Sequence, residues 1–338
     1  MWQFLVIQLI FLLTLQAHST TPQDEKLVHA FLRGMSNMLG VGDQLSPLQP
    51  IDKEVIFNCT SNRSDDFFQP VLLDDPDLLQ KLDLQKPIAF IIHGWNSSSS
   101  EPHFQDMAHN YSRFVNCNIC LVDWTNLSRY EYDVVILQSL QMVVAYFTRF
   151  LRFLNTNGIS YANVTLVGHS LGAQISGLVG KSLNGAIGQI FALDPAALLF
   201  TTPKDVGVNN RLVPTDAQYV QAIFTSKGEL SMEIGAGHQN FWMNDDGKHP
   251  QPGCKSLAKN KGLLERFFER LVCSHMMAAV YFTAALDPAV NYTMKRCFAY
   301  GMYQIGLCFG KKDVVGIHAK RFLGDFYGSV DLVFPYGS

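Results

Sequence analysis

The chain has 338 residues, 48% of them hydrophobic, which is enough to build a sizeable core without metal clusters or dense disulfides. Its formal net charge is only −3, and no Lys/Arg run interrupts the sequence. That excludes the electrostatic footprint of a nucleic-acid or heparin binder.

The N-terminus reads as an address. Phe4 to Leu15 is almost unbroken apolar sequence, too short to span a bilayer comfortably. Ala17-His18-Ser19 then offers small residues where a signal peptidase cuts. Residues 1–19 are therefore expected to be a signal peptide and the protein to be secreted. No later segment is expected to be long and apolar enough to span a membrane. Asn-x-Ser/Thr sequons at Asn58, Asn62, Asn96, Asn110, Asn126, Asn163 and Asn291 fit that compartment. Asn163 opens a strand expected to be buried, which argues against a sugar there. Cysteines stand at 59, 117, 120, 254, 273, 297 and 308. The odd number leaves at least one thiol outside the intrachain pairs.

Residues 20–53 form an N-terminal extension, in which Lys26 to Met38 predicts a short helix ended by Ser46-Pro47 and Gln49-Pro50. From Glu54 to Ser338 the pattern is that of one domain. Ile88 to Ile92, Ile119 to Val122, Val164 to Val167 and Ile190 to Leu193 are short continuous apolar runs. Such runs predict strands covered on both faces. Val134 to Asn155 carries Leu137, Leu140, Val144, Phe147 and Leu151 at helical spacing. Strand–helix–strand repetition predicts an α/β fold with a mostly parallel sheet flanked by helices.

The chemistry begins at Gly168-His169-Ser170-Leu171-Gly172, between an apolar strand and a helical stretch. A serine on such a strand-to-helix turn is held exposed at the carboxyl edge of the sheet, as a nucleophile elbow requires. A serine hydroxyl needs a base, and the base needs an acid to orient it; in this arrangement the order along the chain is Ser, acid, His. Asp194 ends the strand Ile190 to Leu193, and Pro195 stops it. Leu286-Asp287-Pro288 repeats that pattern but follows the candidate histidine, and reads as a helix end. His275, beside Cys273 and opening an apolar helical run, is the candidate base. His93, in Ile91-Ile92-His93-Gly94-Trp95, is assigned a structural part in a loop that supplies an oxyanion donor. The expected donors are the backbone N–H groups of Trp95 and Leu171.

With Val122-Asp123-Trp124, Asp216-Ala217-Gln218-Tyr219-Val220, Gln251-Pro252-Gly253-Cys254 and Cys273-Ser274-His275, these motifs resemble the pancreatic-lipase-like family. The similarity is greatest to its one-domain insect lipases and venom phospholipases A1, and it runs from about Glu54 to Tyr327. It implies an α/β-hydrolase fold, a Ser170–Asp194–His275 triad and hydrolysis of acyl-lipid esters, triacylglycerol or phospholipid. It also implies disulfides Cys254–Cys273 and Cys297–Cys308, leaving Cys59, Cys117 and Cys120 to one another.

The first pair would staple a lid, residues 254–273. Leu263, Leu264, Phe267, Phe268 and Leu271 fall on one helical face, which the resemblance assigns to covering the pocket in water and meeting a lipid interface. That interface is the expected partner; no obligate protein partner and no cofactor is expected. Where some relatives bind calcium, Val208 and Val213 replace the acids and only Asp216 remains, so no metal is expected. The C-terminal β-sandwich domain of vertebrate relatives is not expected either. The proline usual after the acid's Asp-Pro-Ala is missing from Ala196-Ala197-Leu198-Leu199, which nothing in the sequence explains. The alternative reading is a lipase-like binding or storage protein of the insect yolk type. Those proteins lose the nucleophile, which Ser170 retains.

Overall fold

The computed structural model describes residues 22–41, 49–61, 68–255, 257 and 262–330. The expected signal peptide and Asn62 lie outside them.

Among the described residues, eleven strands form one sheet: β1 (Ile56–Thr60), β2 (Gln69–Val71), β3 (Ile88–Ile92), β4 (Asn118–Asp123), β5 (Val164–His169), β6 (Gln189–Leu193), β7 (Tyr219–Phe224), β8 (Gln239–Met243), β9 (Thr293–Arg296), β10 (Lys312–Val314) and β11 (Gly324–Gly328). Their spatial order is β10-β9-β11-β8-β7-β6-β5-β3-β4-β1-β2. The centre, from β4 through β8 to β11, is parallel, while β1 and β2 at one end and β9 and β10 at the other run antiparallel. This is the α/β-hydrolase arrangement implied by the motif order.

The alternation of side chains along each strand divides the core in two. From β3, Ile88, Phe90 and Ile92 face one layer with Phe147, Phe150 and Leu151. Ala89 and Ile91 face the other, with Met107, Tyr111 and Phe282. Residues buried on both faces are why these strands read as continuous apolar runs.

The helices needed below are α1 (Pro22–Leu39), α2 (Pro102–Phe114), α3 (Leu140–Thr156), α4 (Leu171–Ser182) and α5 (Leu263–Ala284). Helix α1 starts four residues before the predicted Lys26. Helix α3 follows a π turn, Val135–Ser139. The wider turn shifts the helical phase, so Leu137, expected on the core face, is 73% exposed. Against the expectation that no later segment would be long and apolar enough to span a membrane, Tyr132–Thr156 is so by length and composition, with a window of mean hydropathy 1.5, but 56% of that window is buried in the protein. It is a core helix. Asn163 ends a short 3-10 turn just before β5 and is exposed. The expectation that strand burial would shield it from a sugar does not hold.

Cys254–Cys273 and Cys297–Cys308 are disulfides, and so is Cys59–Cys120. Register decides the third pair: Cys59 on β1 lies directly opposite Cys120 on β4, with Cα atoms 4.0 Å apart. Cys117 takes no part in a disulfide and is buried. Three such bridges suit an oxidising compartment.

Candidate active site

Strand β5 delivers the chain into Ser170, whose φ of 57° and ψ of −118° lie outside the regions an L-residue prefers. The turn is held from both sides. Ser170 N–H donates to Leu193 O at 2.9 Å, and Ser170 O accepts from Ala173 N at 3.1 Å. Gly172 is required because a Cβ there would lie 2.2 Å from Ile92 O. Helix α4 is thereby pressed against the end of β3, and its first N–H groups, Leu171 among them, have no acceptor within the helix.

Asp194 follows β6 at the same sheet edge and is fully buried. Its carboxylate is saturated. Oδ1 accepts from Thr225 N at 2.6 Å and Ser226 N at 3.1 Å, and Oδ2 accepts from the Ser226 hydroxyl. Oδ2 also accepts from His275 Nδ1 at 2.6 Å. The proton of the imidazole is thus fixed on Nδ1, leaving Nε2 as the basic nitrogen. Ser226 Oγ lies 3.3 Å from His275 Nδ1 as well. Sequence reasoning missed Ser226: a Thr-Ser pair after a strand carries no motif, and only the neighbouring β6 and β7 bring it to Asp194.

His275 sits in the middle of α5 rather than at the start of a helix as expected. One unbroken 22-residue helix carries both His275 and the helical part of the segment expected to be the lid. Its backbone is anchored from the elbow itself, because His169 Nε2 donates to His275 O at 3.0 Å. Burial, then the neighbouring His275, holds the pKa of His169 well below the usual histidine value. The ring is neutral, as that donation from a single ring N–H needs.

Ser170 and His275 share the wall of a cavity of about 270 Å³. No hydrogen bond joins Ser170 Oγ to the His275 ring among the described residues, a separation common before substrate arrives. Gly94 and Trp95 form the facing loop. A Cβ on Gly94 would lie 2.9 Å from Ser170 Cβ, so only glycine lets the backbone approach the serine this closely. His93 explains how the loop is aimed. Its Nε2 accepts from Trp124 N at 3.1 Å, so its Nδ1–H is free to donate to Gly94 O at 3.0 Å. In a planar trans peptide the C=O and the following N–H point opposite ways. Holding Gly94 O toward His93 therefore turns Trp95 N–H away from it. The Trp95 ring is tied separately, through Nε1 to Tyr130 O at 2.8 Å.

Burial pulls the pKa of His93 down from 6.5 to about 4. Between those values the unfolded chain binds a proton that the folded chain refuses, so stability is full above about pH 6.5 and is lost on acidification toward pH 4. The loss from this residue is on the order of 3 kcal/mol, and His169 adds in the same direction. Urea midpoints at pH 7 and pH 4.5 measure it. A flat profile, or an NMR titration of the His93 ring near 6.5, would contradict the assignment.

The lid-side residues divide. Phe268 and Val272 line the cavity, one turn apart on α5. Phe267 instead packs edge-on against His249, with ring centroids 4.9 Å apart. Leu271 is buried, at 1% exposure. Leu263, expected on the covering face, is 76% exposed: at the first position of α5 it lies beyond the cavity. The Leu264 side chain lies outside what is described. Val272 was not singled out from sequence.

At the position matching the calcium-binding stretch, Asp216 is buried, accepting from Lys181 Nζ at 2.5 Å and from Val213 N at 2.9 Å. Among the described residues, no group of three His, Cys, Asp or Glu side chains is placed to hold a metal.

A protein-family model described as Lipase matches residues 36–328. The chain is 30% identical over 300 residues to pancreatic triacylglycerol lipase of Ictidomys tridecemlineatus, covering 83% of this chain and 63% of that protein. It is 31% identical over 219 residues to phospholipase A1 member A of Bos taurus, covering 64% of this chain and 45% of that one. A third relative, 30% identical over 281 residues and covering 78% and 58%, is inactive pancreatic lipase-related protein 1 of Canis lupus familiaris. The chain thus spans 63% of the length of the first of these. Because the family match takes in most of the sequence and contains both the elbow and the Asp194–His275 pair, the chain belongs to the lipase family.

Proposed function

We propose that this protein is a secreted carboxylic ester hydrolase of acyl lipids, triacylglycerol or phospholipid at its first acyl position. The observation that carries the proposal is a buried Asp194 bonded to His275, with His275 lining the same cavity as the elbow serine. Ser170 Oγ attacks the ester carbonyl carbon while its proton passes to His275 Nε2. The resulting oxyanion is held by the N–H groups of Trp95 and Leu171, a stabilisation typically worth a few kcal/mol. Collapse expels the alcohol, which takes the proton from His275 and leaves an acyl group on Ser170. Water, deprotonated by the same His275, then releases the fatty acid and restores the serine. Asp194 stays ionised throughout, fixing the tautomer and balancing the imidazolium.

One relative is named as inactive, so membership of the family does not itself confer turnover. The test is hydrolysis of triolein, phosphatidylcholine and a soluble short-chain ester by the secreted protein. Activity on none of the three would favour the binding-protein alternative.

The lid end of α5 serves a lipid interface in this reading. Phe268 closes the cavity in water, and a lipid surface removes the cost of exposing it, roughly 2–3 kcal/mol for a fully buried ring. Phe267→Ser with Phe268→Ser should lower hydrolysis of emulsified lipid at least about tenfold relative to a soluble ester. Both substrates are measured on one preparation. Equal losses in a folded protein would make the segment ordinary core.

A further inference from the structure

Helix α1 reaches the cavity. Val28 and Leu32 are fully buried and Met35 is 4% exposed, a stripe at i, i+4 and i+7 that faces inward. Met35 lines the same cavity as Ser170 and His275. The family match begins at residue 36, so most of α1 precedes the part of the chain that the family accounts for. The helix is seated against Tyr132–Val134, where His29 Nδ1 lies 3.1 Å from Asp133 Oδ2. Farther out, His29 faces Leu199, Pro203 and Val206 across a second hollow. The helix therefore lies beside the segment that follows Asp194.

The cavity wall is not chemically uniform. Met35 belongs to an apolar stretch with Tyr132, Leu198, Leu230 and Phe268, whereas Asn96, Ser97, Glu101 and His103 make another part polar. An acyl chain is accommodated by the first kind of wall, since every methylene removed from water favours binding. The second suits the more polar alcohol side of an ester. Methionine is unbranched and adaptable, and Met35 stands among the apolar residues of this wall.

We propose that α1 is a built part of the acyl site and that Met35 determines which acyl length it takes. The inference rests on the reading of Ser170 as an acyl-ester nucleophile. The full chain and three variants are assayed on nitrophenyl esters from butyrate to decanoate, below the concentrations at which they aggregate. Met35→Ala should raise kcat/KM for decanoate relative to butyrate by about tenfold, the discrimination that one methylene commonly gives in an apolar pocket. Met35→Trp should move the ratio the other way. Leu32→Ala, on the same buried stripe but off the cavity wall, should lower the thermal midpoint and leave the chain-length profile unchanged. Parallel profiles in a hydrolytically active set, or a Leu32→Ala profile shifted like that of Met35→Ala, would overturn the role of Met35 alone. A wild-type chain inactive on every ester would overturn the hydrolase reading together with this one.

Discussion

Ser170→Ala should reduce kcat on any ester substrate by on the order of a millionfold, the loss seen when a triad nucleophile is removed. The fold should survive. Both backbone bonds that hold the elbow, Ser170 N to Leu193 O and Ala173 N to Ser170 O, are kept by alanine, and alanine carries the same Cβ into the same strained turn. Turnover of a soluble ester, with the thermal midpoint as the control for folding, decides the matter. A folded variant retaining a tenth of wild-type activity would mean that another group attacks the substrate.

Asp194→Asn comes next in size, at about ten-thousandfold in kcat. An amide oxygen can take over the two N–H groups of Thr225 and Ser226. Its NH2 then faces the Ser226 hydroxyl and His275 Nδ1, where the carboxylate Oδ2 now accepts from both. Donor would meet donor at the imidazole. The ring then moves its proton to Nε2, and a base protonated on the side facing the substrate cannot deprotonate Ser170. The shape of the site is nearly unchanged, so the thermal midpoint should fall far less than the rate. A loss of less than tenfold would place the orienting acid elsewhere.

What was legible in the sequence is what local chemistry compels. Gly-x-Ser-x-Gly between a strand and a helix dictates an elbow because the backbone can make that turn in few other ways. Asp194 was legible because a proline stops its strand. What escaped depends on neighbours distant along the chain. The Cys59–Cys120 bridge follows from the β1–β4 register, which no cysteine spacing encodes. Ser226 reaches Asp194 only because β6 pairs with β7. Leu137 turned outward because one π turn altered the phase of an otherwise regular helical pattern. Leu263 and Met35 share a different cause. Periodicity tells which face of a helix is apolar but not where along its length the cavity begins and ends, so it placed Leu263 on the covering face, where Phe268 and Val272 line the cavity instead, and gave no sign that Met35 reaches it.

That α5 holds both the aromatic pair Phe267–Phe268 and His275 bears on how lineages of such proteins can diversify. Cys254 and Cys273 have Cα atoms 5.7 Å apart, so the disulfide ties α5 at Cys273 to the chain at Cys254. From Leu263 to Val272 the chain is helical. Each residue added or lost there rotates everything upstream by about 100° about the helix axis. Changes of three or four residues bring an aromatic side chain back near the direction of the cavity, while changes of one or two send it toward solvent. Divergence along this helix should therefore be stepwise, and chimaeras with relatives should tolerate joins that shift it by three or four residues far better than joins that shift it by one or two.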